Sequence, residues 1–308
     1  MAGRCQILGA PVDSGARAPG CEMGPAAMRA AGVVATLAEL GWDVEDLGDV
    51  RVDDVPAIAH SNPALHGLGE TVAWTRALMD AAYAAARSGA YVLCLGGDHS
   101  LSAGTVAGVA KYAAELGRPQ FVLWLDAHSD IHTLDTTVSG NLHGIPVAYF
   151  TGQSGFDPFP DVPHPVPAGN VCLLGMRSVD TAEGERLKET AMEFHDMREI
   201  DVRGVLVVLE GFLQRVSAAG GRLHVSLDVD FLDPGIAPAV TTPVAGGATL
   251  REAQLVMERL SDSGLVTSVD VAELNPFLDE RGRTSKMLTD LVARLFGRTF
   301  LEAPTSTT

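Results

Sequence analysis

The chain has 308 residues, 46% hydrophobic and 20% charged, which excludes a disordered polymer and supplies material for a large core. Thirty-nine acidic residues against 22 basic ones leave a formal net charge of −17. Such a surface repels phosphate backbones and anionic bilayers, so neither nucleic acid nor a membrane is expected as a partner. No run of 18 apolar residues is present, and the first eight residues are too few and too polar for a secretion signal, so a soluble, cytoplasmic protein is expected. Cys5, Cys21, Cys94 and Cys172 are scattered without a Cys-x-x-Cys pair and read as free thiols of a reducing compartment.

Along the chain, short apolar runs alternate with longer helical patterns. Residues 4–9 predict a first strand, and 25–40, opening on Pro25, a first helix. An Ala-rich helix over 64–87 stops before Ser88-Gly89 and feeds a strand at 91–95. A helix over 101–116, with Ser100 as its cap, leads to a strand at 121–125. The Pro-, Gly- and Asp-rich stretch 151–170 is expected as a surface insertion before a strand at 171–175. Helix 202–219, strand 223–227, helix 250–261 capped by Thr249, strand 265–271 and helix 284–296 complete the series. Nearly all-apolar strands that alternate with helices predict one α/β domain over 1–303, three layers deep, with a mainly parallel sheet. Residues 304–308 are expected as a frayed tail.

Ligands of open parallel sheets bind beyond the carboxyl ends of the strands. After 91–95 comes Gly96-Gly97-Asp98-His99-Ser100, where two glycines permit a tight bend that leaves His99 at the sheet edge. After 121–125 comes Asp126-Ala127-His128-Ser129-Asp130-Ile131-His132, and continued strand geometry would project Asp126, His128 and Asp130 to one side. After 223–227 comes Asp228-Val229-Asp230, again two acids in one phase. Each motif alone also suits a polar turn or a helix cap. Together they offer six oxygen and nitrogen donors from three strand ends. Four carboxylates do not stay ionised side by side without cations to neutralise them. Two divalent ions would do so, and a His/Asp set without cysteine suits manganese first, with iron, cobalt or zinc as substitutes. Two further segments carry chemistry: Ser139-Gly140-Asn141-Leu142-His143-Gly144, with His143 as an acid/base candidate, and Glu273 in Ala272-Glu273-Leu274-Asn275-Pro276, a carboxylate that would hold a cationic group. An ordinary polar loop and a structural salt bridge are the plainer readings of these two.

In their order and spacing, Gly9-Ala-Pro-Val-Asp-Ser-Gly, Gly24-Pro25, Gly-Gly-Asp-His-Ser, Asp-Ala-His-Ser-Asp and Val-Ala-Glu-Leu-Asn-Pro resemble the arginase (ureohydrolase) family over nearly the full length. Ser139–Gly144 followed by Ile145-Pro146-Val147 is more similar to the arginine-cleaving branch than to the agmatine-cleaving one. The resemblance implies an arginase-like fold and two Mn2+ ions. The first would take His99, Asp126, Asp130 and Asp228, and the second Asp126, His128, Asp228 and Asp230, with Asp126 and Asp228 bridging. It implies attack of a metal-held hydroxide on the guanidino carbon of L-arginine or its Nω-hydroxy derivative, which releases L-ornithine with urea or hydroxyurea. His143 would shuttle protons, Asp130 would carry a proton to the leaving amine, and Glu273 would pair with the guanidinium. Thr137, Ser139 and Asn141 match positions near the amino-acid carboxylate, Asp180 and Glu183 positions near the α-amino group, and Thr242 a pocket position. Related enzymes are often trimers or hexamers, which allows a homo-oligomer here.

Two positions depart from the family pattern: His132 stands where asparagine is usual, and Ser178 where an aspartate is frequent. His132 would alter the pocket rim; the plainer reading is drift at a water-mediated contact, and the sharper one an altered substrate, such as the Nω-hydroxy-L-arginine that one branch of the family hydrolyses in antibiotic-producing bacteria. Retained Asp180 and Ser139 argue against an agmatinase, which needs no carboxylate grip. A single-zinc deacetylase would want a His-His pair, and the chain has none. A non-catalytic amino-acid-binding regulator would have no use for six ligands and His143.

Overall fold

The computed structural model describes residues 3–299; the 304–308 tail lies outside them. Among the described residues, eight strands form one sheet: β1 (Arg4–Ala10), β2 (Asp43–Asp49), β3 (Tyr91–Gly96), β4 (Gln120–Leu125), β5 (Val171–Met176), β6 (Glu193–Asp196), β7 (Arg222–Asp228) and β8 (Val266–Ala272). Their order is β2-β1-β3-β8-β7-β4-β5-β6, and every pairing is parallel. Helices α1 (Gly24–Ala30), α2 (Val33–Glu39), α3 (Leu68–Arg87), α4 (Leu101–Glu115), α5 (Pro146–Phe150), α6 (Thr181–Glu189), α7 (Met197–Arg203), α8 (Val205–Ala218), α9 (Leu250–Ser263) and α10 (Arg283–Leu295) connect the strands or close the chain.

Strand side chains alternate between two cores, as the pleat dictates. Leu93, Leu123, Val225 and Val269 pack with Met28, Leu37, Phe212, Met257 and Leu291 from α1, α2, α8, α9 and α10. Val122 and Trp124 face the other way, toward Val106 of α4 and Phe150 of α5. Val92 and Cys94 pack there with Leu78 of α3 and Val109 of α4. Both faces of the central strands are therefore covered, the condition a parallel sheet needs.

The six strands expected from apolar runs are present, and two more flank the sheet. β2 and β6 are polar and exposed, as edge strands often are. Four helix expectations need correction. The span 25–40 is two helices, broken where Gly32 takes φ 91°. The span 64–87 becomes helical at Leu68, after Gly67 at φ 62°, where a Cβ would lie 2.2 Å from the Ser14 carbonyl oxygen. Helix 202–219 is split by Gly204 at φ 84°. Ser100 makes no capping hydrogen bond, because its hydroxyl donates to Asp98 Oδ1 at 2.5 Å. Thr249 does cap α9, in a capping box with Glu252. The 151–170 stretch is tied to the body by Phe156 and Phe159, which pack on Tyr149, whose hydroxyl donates to the Pro160 carbonyl at 2.7 Å. Among the described residues, no helix is long and apolar enough to cross a membrane.

Candidate metal centre and substrate cavity

Chain order and spatial order differ in a way that builds the site. β3, β4, β7 and β8 are far apart in sequence but contiguous in the sheet, as β3-β8-β7-β4. Their carboxyl ends bring together His99, Asp126 with His128 and Asp130, Asp228 with Asp230, and Glu273. At the end of β3, Gly97 lets the backbone tuck against Val12, whose carbonyl oxygen lies 1.9 Å from where a Cβ would stand.

The expected strand continuation after β4 does not occur. The chain turns at once, and Asp130 sits at φ 49°. Glu273, at the end of β8, sits at φ 66°. These are two of the three non-glycine residues in the left-handed region among the described residues. Strain of this kind persists only where surrounding bonds over-determine it, and it gathers at functional sites. Asp228 ends β7 in extended conformation, and a short 3-10 turn carries Asp230.

The donor atoms converge. His99 Nδ1 lies 2.8 Å from Asp228 Oδ2, 3.1 Å from Asp126 Oδ2 and 3.5 Å from Asp130 Oδ2. His128 Nδ1 lies 2.9 Å from Asp230 Oδ2 and 3.4 Å from Asp126 Oδ1. His99, Asp126, Asp228 and Asp230 are at most 3% exposed and Asp130 is 6% exposed. Yet His99 Nδ1 and Asp230 Oδ2 have no hydrogen-bond partner, although oxygens or nitrogens stand within 3 Å of each. Atoms that approach so closely without hydrogen-bond geometry aim at a shared point, as ligands of a cation do. Charge agrees with this. Burial and the neighbouring carboxylates push Asp130 and Asp228 well above the usual carboxylate range, and Asp230 is raised for the same reasons. For Asp126 burial works upward too, but His128 and His99 together outweigh it and hold the carboxyl down. Without cations the site must keep extra protons. Divalent ions on the oxygens and imidazole nitrogens would replace them, so the residues fit a metal centre.

The surrounding bonds fix these side chains. Trp124 stacks on His99 with centroids 4.1 Å apart, and its indole N–H donates to Asp126 Oδ2 at 2.9 Å. The Arg177 guanidinium donates to the carbonyls of Asp230 and Val244 at 2.5 and 2.8 Å. The sequence reading gave no role to Trp124 or Arg177. A signal for Trp124 existed, since it stands two residues before Asp126 and so shares its side of the strand.

A cavity of about 210 Å³ opens above the carboxylates, lined by His99, His128, Asp130, Asp228, His132, Thr137, Ser139, Asn141, His143, Gly144, Glu183 and Thr242. Asp180, half exposed, stands at its rim, with Oδ2 3.1 Å from His132 Nε2. Asp180 caps α6 and forms a capping box with Glu183, and Ser129 donates to Glu183 at 2.6 Å. Glu273 lies behind the cavity wall, 1% exposed. Its Oε1 accepts from the His99 backbone N–H at 2.7 Å and pairs with His143 Nδ1 at 2.9 Å. Its Oε2 accepts from the Thr241 hydroxyl at 3.1 Å. Burial works upward on Glu273, but His143 outweighs it and the carboxyl is held down to about 2. Burial alone would lower the pKa of His143, yet Glu273 raises it. Thr241 was not foreseen, and Asp98, buried beside Glu273 and pushed up to about 6 by burial and that neighbour, had been seen only as part of a motif.

Comparison with known proteins places this geometry. Residues 4–297 match the arginase family. The chain belongs to that family. The chain is 60% identical to an arginase of Agrobacterium fabrum over 302 residues, 98% of this chain and 93% of that protein. An arginase of Brucella melitensis is 56% identical, with 98% of both chains covered. Among solved structures, the arginase of Bacillus caldovelox superposes with a TM-score of 0.90 at 36% identity, covering 97% of this chain and 100% of that one. As an arginase-family protein, the chain is a hydrolase of linear amidines.

Proposed function

We propose that the protein is a cytoplasmic arginase that hydrolyses L-arginine to L-ornithine and urea with two manganese ions. The observation that carries this reading is one cavity with two chemically different ends. At one end stand the carboxylates and histidines of the centre, and at the other Thr137, Ser139, Asn141 and Glu183, with Asp180 at the rim. An amino acid with a distal guanidinium matches that division. The relatives named arginase support it, and four free, buried cysteines suit a reducing compartment.

Two ions would be held by His99, Asp126, Asp130 and Asp228 and by Asp126, His128, Asp228 and Asp230, and would supply Lewis acidity and a water ionised near neutral pH. The remaining work falls to side chains. Hydroxyls of Thr137 and Ser139 and the amide of Asn141 donate to the substrate carboxylate. Asp180 and Glu183 accept from the α-ammonium. On Glu273, Oε1 is held by the His99 N–H and His143, whereas Oε2 accepts from the Thr241 hydroxyl and, at 3.7 Å, from the Cys21 thiol, weaker donors that a guanidinium would displace. Asp130 lines the cavity, where its carboxylate would take a proton from the attacking water and pass it to the leaving amine. His143, with Nδ1 bound to Glu273, presents Nε2 for exchange with solvent.

His132 contacts Thr136 and Asp180 and approaches Glu183. It therefore belongs to the amino-acid end, and its departure from asparagine gives no handle on a hydroxyl at the guanidino end. The deciding experiment measures ornithine release by manganese-loaded protein on L-arginine, Nω-hydroxy-L-arginine and, as putrescine release, agmatine. L-Arginine is expected to give the highest kcat/KM, with agmatine lower by about 100-fold or more because the carboxylate grip goes unpaired. A preference for either other substrate overturns the assignment.

A further inference from the structure

Beneath the metal centre, among the apolar side chains between the sheet and α4, lies a second polar cluster that no step of the reaction uses. Asp270 of β8 is 1% exposed, and so is His224 of β7. Ser102 and Thr105 of α4, Ser226 of β7 and Ser268 of β8 are each at most 2% exposed. Asp270 Oδ2 accepts from Ser102 at 2.8 Å and from Thr105 at 2.5 Å, and His224 Nε2 stands 3.2 Å away. Ser102 Oγ is 3.2 Å from Ser226 Oγ, and Ser226 Oγ is 2.8 Å from His99 Nε2. A continuous path thus joins a buried carboxylate to the imidazole of the metal centre.

With each contact on that path made as a hydrogen bond, counting hydrogens gives its direction. A carboxylate only accepts, and a serine hydroxyl has one hydrogen to give. Ser102 gives its hydrogen to Asp270, so toward Ser226 it can only accept. Ser226 gives its hydrogen to Ser102, so toward His99 it can only accept. His99 must then carry its hydrogen on Nε2. The nitrogen left with a lone pair is Nδ1, the atom that faces Asp126, Asp130 and Asp228 without a hydrogen-bond partner.

We propose that Asp270 is a positioning residue that acts through Ser102 and Ser226 to lock His99 in the tautomer that offers Nδ1 to a divalent cation. This rests on the reading of His99 as a metal ligand. Cores rarely hold a carboxylate without strong compensation, and here the compensation is a set of hydroxyls whose order ends at a ligand atom. Outer partners of metal-bound histidines act in this way, setting ring orientation and basicity.

The test compares two substitutions on the same carboxylate. Ser102→Ala cuts the path, because Ser226 loses its acceptor and is free to turn its hydrogen toward His99. Thr105→Val removes a hydroxyl from the same oxygen but leaves the path intact. Mn2+ affinity, titrated on the full-length protein, is expected to fall about tenfold in Ser102→Ala and to stay within twofold of wild type in Thr105→Val. Equal losses in both would make the cluster merely structural and overturn the proposal. Independently, 15N spectra of zinc-loaded wild type should show His99 bound through Nδ1 with a proton on Nε2. That spectrum decides the matter even where Ser102→Ala fails to fold. Zinc on Nε2 overturns the tautomer lock and leaves the metal centre standing, whereas a chain that binds neither Mn2+ nor Zn2+ overturns both.

Discussion

The sheet edge and the carboxyl ends of the central strands each set a histidine among carboxylates, and of these two only the second has the marks of a metal centre. At the sheet edge, His195 of β6 gives Nε2 to Glu193 and Nδ1 to Glu199, both at 2.7 Å. Arg215 pairs with Glu193 and Arg203 with Glu199, and a donor atom of Cys172 lies close enough to complete a three-ligand set. At the carboxyl ends of β3, β4 and β7, His99 and His128 stand among four carboxylates instead. Donor types and proximity are alike in the two places. The difference lies in what is left over. At the edge both imidazole nitrogens are used, and although Glu193 Oε2 has no hydrogen-bond partner, two guanidiniums balance the carboxylates. At the centre a histidine nitrogen and a carboxylate oxygen have no hydrogen-bond partner, and the oxygens outnumber the cations. Surplus negative charge, rather than ligand types within reach or an unpartnered atom, distinguishes a cation site from an ion-pair network.

The strongest attempt to break this contrast exchanges one carboxylate in each region. Asp228→Asn takes charge from the point where His99 Nδ1 aims. Mn2+ affinity is expected to fall more than about 100-fold, beyond the usual effect of outer-shell partners, and activity to fall with it. Glu193→Gln at the edge should leave bound manganese unchanged. Manganese retained in the first variant, or lost in the second, would reverse the two assignments. A smaller effect separates ligands from acid/base groups. His143→Gln should lower kcat by about 100-fold while metal content stays intact, since His143 meets Glu273 and the cavity but none of the ligand carboxylates.

The convergence of these side chains was legible in the sequence because each follows an apolar strand within a few residues, and parallel sheets place such ends together. His99, Asp126, His128, Asp130, Asp228 and Asp230 needed no tertiary information beyond that rule. The edge was not legible. β2 and β6 are short and polar, so no hydrophobic period announces them, and Glu193 and His195 fell in a span assigned to no element. The local route to the centre was also misjudged, since alternation along a strand would have aligned Asp126, His128 and Asp130, whereas a turn with Asp130 at positive φ does so. Thr241 and Asp270 stayed hidden for a further reason: their partners are other protein groups, and such partners become visible only when segments distant in sequence lie side by side.

The rim yields a milder effect still. His132 Nε2 holds Asp180 Oδ2, the oxygen that a substrate ammonium would use. An asparagine there reaches less far and should release Asp180. His132→Asn is therefore expected to lower KM for L-arginine two- to tenfold, about the worth of one hydrogen bond, with kcat unchanged. An unaltered KM would remove His132 from the amino-acid grip.

The smallest effect sharpens the comparison from the edge, through pH. Burial disfavours the His195 imidazolium, but Glu193 and Glu199 outweigh it and raise the pKa above 6.5. The bond to His195 is the largest influence on Glu193 and Glu199, and both are lowered. A raised histidine stabilises the fold fully below its unfolded pKa of about 6.5, and that contribution is lost as pH rises through the folded value. The two carboxyls contribute above their unfolded pKa of about 4.3, and lose that contribution as pH falls through their lowered folded values. The network is thus worth most at pH 5 to 6, where imidazolium and both carboxylates coexist. His195→Gln should cost about 1 kcal/mol there, as partly exposed ion pairs do, and clearly less at pH 9. Denaturant unfolding of the two proteins at both pH values reads this difference. A cost equal at the two values would mean that His195 serves by packing alone. A cost that depends on added zinc or manganese would show that the edge, too, holds a metal and that surplus negative charge is not the criterion.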